Sequence, residues 1–327
     1  MRFYRPLLFL AALLAFGVIT LGAYVRLSDA GLGCPDWPGC YGHLLGVPAA
    51  ADEHAAALAA FPERPLETHK AWKEMLHRYF AGSLGLLILL IAGLAWKHRY
   101  RLRQSPALPT VLVGVVGLQA LLGMWTVTLL LKPVIVTAHL LGGMSTLALL
   151  LWLLLRQRRH PLNQVPASLR LMALLALLAI VLQIALGGWV SSNYAALSCS
   201  DFPTCLGQWI PETDFAQAFH VVRELGKTAE GELLTGTALV TIQWTHRVGA
   251  LILALLVGTL ALALFIRTEW RRWGIVLGSV LLAQIGLGMA NVIWSLPLPV
   301  ALAHNAGAAI LLSLALALNF RLWQTNE

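Results

Sequence analysis

Glu74-Met75-Leu76-His77-Arg78 places a carboxylate, an imidazole and a guanidinium where a polar loop runs into a long apolar segment that begins near Ala71 and continues to about residue 96. A segment of that length and apolarity spans a bilayer, which takes about 20 residues of helix. Near Gln243-Trp244-Thr245-His246-Arg247 the same arrangement returns, with glutamine where the first copy has glutamate. The chain therefore reads as membrane helices, arranged in two similar halves.

Working outward, seven further apolar runs fall near 6–25, 107–131, 133–155, 169–191, 239–266, 272–295 and 298–322. The composition agrees: 58% hydrophobic, 12% charged and a mean hydropathy of +0.74 is more apolar surface than a soluble domain could cover. The first run has a basic, signal-like start, but it reaches Tyr24 with no small-residue cleavage site and is expected to be a retained helix. Polar loops at 26–70 and 192–238 separate the first pair and the third pair of runs. Elsewhere the connections are short, and Lys132-Pro133 and Pro297-Leu298-Pro299 mark tight turns, because proline removes a backbone donor. The fold class expected is an all-α polytopic membrane protein, eight transmembrane helices in two pseudo-symmetric four-helix bundles spanning 1–160 and 161–327.

The net charge of +8 is a matter of topology. Segments 2–5, 97–103, 156–170 and 267–272, with Arg321, hold fourteen of the 23 Lys and Arg and only the acids Glu269 and Glu327. Excess basic residues stay in the cytoplasm, so both termini are expected inside a cell membrane and both long loops outside. No interleaved aromatic or groove-reading pattern accompanies the charge, which argues against nucleic acid as a partner. The cysteines form two close pairs, Cys34/Cys40 and Cys199/Cys205, in those outer loops. An oxidising compartment favours disulfides for both pairs.

The two halves share an offset of 165 residues. Gly22-Ala23-Tyr24-Val25 leads to Cys34-Pro35-Asp36-Trp37-Pro38-Gly39-Cys40, and Gly187-Gly188-Trp189-Val190 leads to Cys199-Ser200-Asp201-Phe202-Pro203-Thr204-Cys205. Gln119 with Gly123 returns as Gln284 with Gly288, and His139 as His304. His77 and His246 differ by 169, a small loop insertion.

Six of the ten histidines, His43, His54, His69, His98, His160 and His220, fall in loops. The other four, His77, His139, His246 and His304, lie about six residues into their helices, or roughly 9 Å deep at 1.5 Å per residue. Intramembrane ionisable groups are costly and mark function. A single such histidine more often bonds across a helix interface; four at matched depth in a duplicated frame favour two haem sites, each with two imidazole iron ligands. Gly82, Gly85, Gly142, Gly143, Gly249 and Gly307 would admit a porphyrin edge, or equally allow tight helix packing. Zinc fits less well, since it wants four ligands. Arg78 and Arg247 are candidate partners for haem propionates, or interfacial arginines snorkelling to head groups. Glu74 shares a helix face with His77 and either handles protons beside a haem edge or pairs with Arg78 or Lys73. Gln243 cannot ionise, which assigns chemistry to the first bundle and electron transfer or structural haem to the second.

The run from Gly22 to Cys40, Glu74-x-x-His77-Arg78 and the three further helix histidines resemble the haem A synthases, membrane enzymes of cytochrome oxidase assembly, over essentially the whole chain. The resemblance implies oxidation of the C8 methyl of haem O to a formyl group, through an alcohol and a gem-diol that loses water. It makes His77 and His139 ligands of the substrate haem, Glu74 the catalytic carboxylate, and His246 and His304 the iron ligands of a haem b cofactor. It matches Cys34 and Cys40 to an outer-loop pair that handles haem or redox transfer, and extends a disulfide to Cys199 and Cys205. It also implies a haem O synthase and an electron donor as partners in the same lipid membrane. A homo-oligomer is open. The alternatives from another class are a non-catalytic di-haem b-type cytochrome and a haem carrier.

Overall fold

The computed structural model describes residues 3–102, 105–157 and 165–324. Among them all regular structure is helical: α1 (Tyr4–Leu27), α2 (Ala51–Ala60), α3 (Thr68–Lys97), α4 (Arg99–Leu102), α5 (Ala107–Thr128), α6 (Pro133–Arg156), α7 (Ala167–Ser192), α8 (Phe215–Ala218), α9 (Gly236–Phe265), α10 (Arg271–Ile293) and α11 (Leu298–Leu322). Eight of these, α1, α3, α5, α6, α7, α9, α10 and α11, are long and apolar enough to cross a membrane. They coincide with the eight apolar runs. Arg2, Arg103, Arg158, Arg159, His160, Glu327 and the expected bundle junction at 160/161 lie outside the described residues.

Helix ends differ from the hydropathy reading where polar residues continue the helical turn. α3 starts at Thr68 and not near 71, on bonds from the Lys70 and Ala71 amides to the Glu67 carbonyl at 2.9 and 3.0 Å. α9 starts at Gly236 and not near 239, because Thr235 caps it by accepting from the Ala238 amide at 3.2 Å. His69 thus lies in the first turn of α3, and His54 in the short α2, where both were expected in loops. Apolarity reports the bilayer and not the helix terminus.

The tight turns recur at the same offset as the sequence. Leu130 and Leu131 take φ of 52° and 56°, and Ser295 and Leu296 take 55° and 62°. The Leu131 amide reaches back to the Thr126 carbonyl at 2.8 Å and the Leu296 amide to Asn291 at 2.7 Å. Such a left-handed finish satisfies helix-end carbonyls, at roughly 1–2 kcal/mol for each residue that carries a Cβ.

By packing, the chain divides into two compact units, Met1–Thr146 and Leu147–Glu327. In the first, α1 packs along α3 and α3 along α5. The first half of α6 meets α5 where His139 faces Gly123, and meets α1 where Gly143 faces Ile19. Helix α3 buries Ala71, Glu74, Met75, Leu84, Ile88 and Ile91, spaced as one helical face. In the second unit α7, α9, α10 and α11 form a closed ring, each packed on the next and α11 on α7. Gly274 lets α10 approach α9 so closely that a Cβ there would lie 2.5 Å from the Ala261 carbonyl oxygen. Asn319 of α11 donates to Ala173 of α7 at 2.8 Å, and the end of α6 adds Trp152 edge-on to Phe320, with ring centroids 5.0 Å apart.

Candidate functional site

In the first unit the site begins with the loop that Cys34–Cys40 closes, a disulfide with Cα atoms 4.8 Å apart. Asp36 organises the loop from within, its carboxylate accepting from the Tyr41 and Gly42 amides at 2.6 and 2.8 Å. The loop lies directly on α3. A Cβ at Gly33 would stand 2.6 Å from the Lys70 carbonyl carbon, so only glycine permits that approach. The Arg78 guanidinium on α3 donates from Nη1 to the carbonyls of Asp36 (2.9 Å), Pro38 (3.3 Å) and Gly39. Its Nη2 donates to Glu74 Oε1 at 2.5 Å, and Glu74 Oε2 accepts from the Cys34 amide at 3.0 Å. Glu74 is 5% exposed, so this carboxylate is buried, ion-paired and tied to the disulfide. Of the two pairings the sequence left open for it, Arg78 is the one formed.

The second unit repeats the frame with one change. Cys199–Cys205 closes the loop, and Asp201 accepts from the Leu206 and Gly207 amides and from Thr204 Oγ1 at 2.6, 2.9 and 2.5 Å. Those hydrogen bonds, with the Thr204 hydroxyl first, hold the Asp201 carboxyl down to about 2. Arg247 donates to the carbonyls of Asp201 (2.8 Å), Thr204 (2.7 Å) and Cys199 (2.6 Å). Gln243 takes the place of Glu74 but binds neither: its Oε1 is buried without a partner. The second loop also holds an arginine that the sequence did not single out. Arg223 is 4% exposed, donates to Asn193 Oδ1, and stacks over Trp189 with its guanidinium carbon 5.6 Å from the ring centroid. Burial lowers its pKa. Its only sequence signal is that Arg223 is a lone basic residue between two valines and a glutamate, which is weak.

Behind each loop lies a pair of histidines. The imidazoles of His77 (α3) and His139 (α6) meet edge to face, with centroids 6.5 Å apart and an 83° interplanar angle. In the second unit His246 (α9) and His304 (α11) lie near enough to interact electrostatically. Each ring rests on a glycine of the neighbouring helix. A Cβ at Gly22, Gly123, Gly187 or Gly288 would come 2.9, 3.3, 3.2 or 3.1 Å from Cε1 of His77, His139, His246 or His304. These four seats keep the 165-residue offset. The glycines that follow the histidines in sequence do other work: Gly142, Gly249 and Gly307 face glutamine side chains, Gly85 faces Val116 and Gly82 faces open space. Gly142, Gly249 and Gly307 thus show the close helix packing that was one of the two readings open for them, and the ring seats are a separate set across the helix interface.

A metal held between two imidazole nitrogens sets the ring centroids roughly 6 Å apart, given metal–nitrogen bonds of about 2 Å. The His77–His139 pair has that separation, and the Nδ1 atoms of His77 and His304 are buried without protein partners. Among the described residues no three of His, Cys, Asp and Glu gather, so each pair offers two imidazoles and no larger ligand set. The donor sets fit haem.

Residues 5–316 match the model of the COX15-CtaA family, described as cytochrome oxidase assembly protein. The chain belongs to this family. It is 44% identical over 314 residues to a Heme A synthase of Shewanella oneidensis, covering 95% of this chain and 94% of that one. It is 30% identical over 343 residues to a Heme A synthase of a Methylobacterium species, covering 96% and 90%. The family assignment thus agrees with the resemblance carried by the cysteine loop and the four histidines.

For a family member, the glycine seats yield a direct test. Gly288→Val should push the His304 imidazole off its seat and weaken haem binding in the second unit about tenfold or more. Optical titration of the purified chain with haem reads this, and unchanged affinity would show that the seat has no bearing on ligation.

Proposed function

We propose that this chain is an oxidoreductase of haem A biosynthesis that converts the C8 methyl of haem O to a formyl group in its first unit. The observation that carries the proposal is the connected set Cys34–Glu74–Arg78 beside the His77/His139 pair, in a chain whose relatives are named Heme A synthase. The second unit has an equivalent loop and histidine pair, but Gln243 stands where the first has Glu74. In this reading His77 and His139 hold haem O as substrate, and His246 and His304 hold haem b as cofactor. When bound, haem b supplies one-electron redox chemistry.

The chain's own groups do the remaining work. His77 and His139 would hold the substrate macrocycle, with the Cys34–Cys40 loop packed on the same helix as His77. Each hydroxylation of the methyl, and the loss of water from the diol, needs a group that moves protons. Glu74 is the carboxylate placed to do so, with Arg78 and the Cys34 amide stabilising its anion. Arg78 and Arg247 anchor the loops and offer their remaining N–H groups to propionates; Arg247 Nε is buried with no protein partner. The partners in this reading are an electron donor and, in the same membrane, a haem O synthase that supplies the substrate.

The eight spanning helices and the family make this a multi-pass membrane protein. In our reading the membrane is the cell membrane, both termini are cytoplasmic and both disulfide loops face outward, which the charge distribution supports. The matched histidine pairs also suit a di-haem cytochrome that only passes electrons. Pigment extraction separates the two. Cells with this chain and a haem O source should contain haem A, and cells lacking either should not. A carrier or a cytochrome would leave haem O unchanged in all of them.

A further inference from the structure

Three of the four histidines are pinned through their main-chain carbonyl by a glutamine of the neighbouring helix, and the fourth is not. Gln119 of α5, with its amide assigned so that the nitrogen faces α6, donates to the His139 carbonyl at 3.0 Å and lies 2.8 Å from Nδ1, while its oxygen accepts from the Gly143 amide at 3.2 Å. Gln183 of α7 donates to the His246 carbonyl at 3.0 Å and lies 3.0 Å from Nδ1. Gln284 of α10 donates to the His304 carbonyl at 2.9 Å. Each glutamine stands four residues before the glycine that seats its histidine, and each amide packs on the glycine three residues after that histidine. A Cβ at Gly142, Gly249 or Gly307 would collide with the Gln119, Gln183 or Gln284 amide. The constellation is glutamine and glycine on one helix, histidine and glycine on the next.

At His77 the frame is the same and both elements of the clamp are missing. Four residues before Gly22 stands Val18, the counterpart of Gln183 at the 165-residue offset. Three residues after His77 stands Phe80, where the other three sites have glycine. The valine side chain offers no hydrogen bond to the His77 carbonyl and phenylalanine stands where the glycine recess would be, so at these positions only the Val18 main chain interacts with the His77 ring. The two changes occur together, at the one histidine that shares a helix with Glu74.

A clamp of this kind matters for an iron ligand. An imidazole that binds through Nε2 carries its proton on Nδ1, and a hydrogen-bonding partner there fixes the ring and raises its basicity. With its nitrogen on the histidine carbonyl the glutamine amide cannot also accept from an Nδ1–H, so its hold on a ligating ring runs through the main chain; the Oε1 atoms of Gln183 and Gln284 are buried without partners. The bond to the histidine carbonyl pins the ligand helix as well.

We infer that Gln119, Gln183 and Gln284 lock three histidines as permanent ligands, while His77, with Val18 and Phe80 at the equivalent positions, is the releasable one through which the first unit exchanges haem. The inference rests on the haem sites proposed above. It gives the units different tasks: the second, clamped on both sides, retains its haem, and the first, clamped only at His139, takes up substrate and lets product go. Val18, Phe80 and the glutamines are then positioning residues, acting through the histidines.

The test uses purified full-length chain loaded with haem b as the probe, with release read optically as transfer to excess apomyoglobin. In a His77→Ala background, which leaves the second site alone to be loaded, Gln183→Met keeps the volume and removes the amide; release is expected to accelerate about tenfold. In a His246→Ala background, Val18→Gln with Phe80→Gly installs the missing clamp, and release from the first site is expected to slow by about the same factor. Unchanged release in the clamp-installing variant would overturn the inference, whatever Gln183→Met does. Haem retained by the second site in His246→Ala would instead defeat the ligand assignment beneath it.

Discussion

Glu74→Gln is expected to lower conversion of haem O to haem A by about a hundredfold or more, the scale on which a positioned acid–base group acts. The substitution copies what the second unit already carries at Gln243. The Cys34 amide keeps an oxygen to bond, but the amide nitrogen meets the Arg78 guanidinium donor to donor and carries no titratable proton. In the proposed reading haem binding should stay, because no histidine is altered, so the absorption spectrum of the bound haem serves as the internal control. A normal rate of haem A formation in purified membranes would remove Glu74 from the chemistry and leave it as the anchor of Arg78.

Arg78→Ala should destabilise the first unit by about 3–5 kcal/mol, the usual cost of stranding one member of a buried ion pair. The side chains of Arg78 and Glu74 are 13% and 6% exposed, so solvent screens little of the interaction. The same change frees the carbonyls of Asp36, Pro38 and Gly39, so the loop should loosen along with the helix mouth. Arg247→Ala should cost less, about 1–3 kcal/mol, because it strands carbonyls and no carboxylate. Denaturation in detergent compares the two variants, and faster hydrogen exchange at Tyr41 and Gly42 reports the first loop. Equal losses for both would mean that the Glu74 ion pair contributes nothing beyond the loop contacts.

The bilayer-spanning part of the fold was legible because membranes demand long apolar helices, and the 165-residue offset shows where its landmarks recur. The helix starts at Thr68 and Gly236 were not, because their first turns are polar and carry no hydropathy signal. Helices α2 and α8 were missed for a related reason: ten and four residues inside long polar loops leave too little periodicity to read. At the site, the residue types stood out but their partners did not. Arg78 and Arg247 hold main-chain carbonyls, which every sequence possesses, so nothing in the loop residues announces the contact. The glycine seats were half visible, since Gln119/Gly123 and Gln284/Gly288 recur as a motif. Gln183/Gly187 completes it, but its counterpart begins with Val18, and only helix register shows what the motif grips.

Those main-chain contacts have a further consequence for how the outer loops tolerate change. A guanidinium that grips carbonyl oxygens is indifferent to the side chains above it, provided that the chain keeps its path. Asp36 and Asp201 secure that path from inside, each through the amides five and six residues ahead. Between each cysteine pair Pro38 and Pro203 also match, while three positions differ, with Pro35, Trp37 and Gly39 in one loop and Ser200, Phe202 and Thr204 in the other. The two loops thus reach one path with different side chains at three positions, each within its own limits, since a Cβ at Gly39 would lie 2.5 Å from the His43 carbonyl oxygen and the Thr204 hydroxyl bonds Asp201.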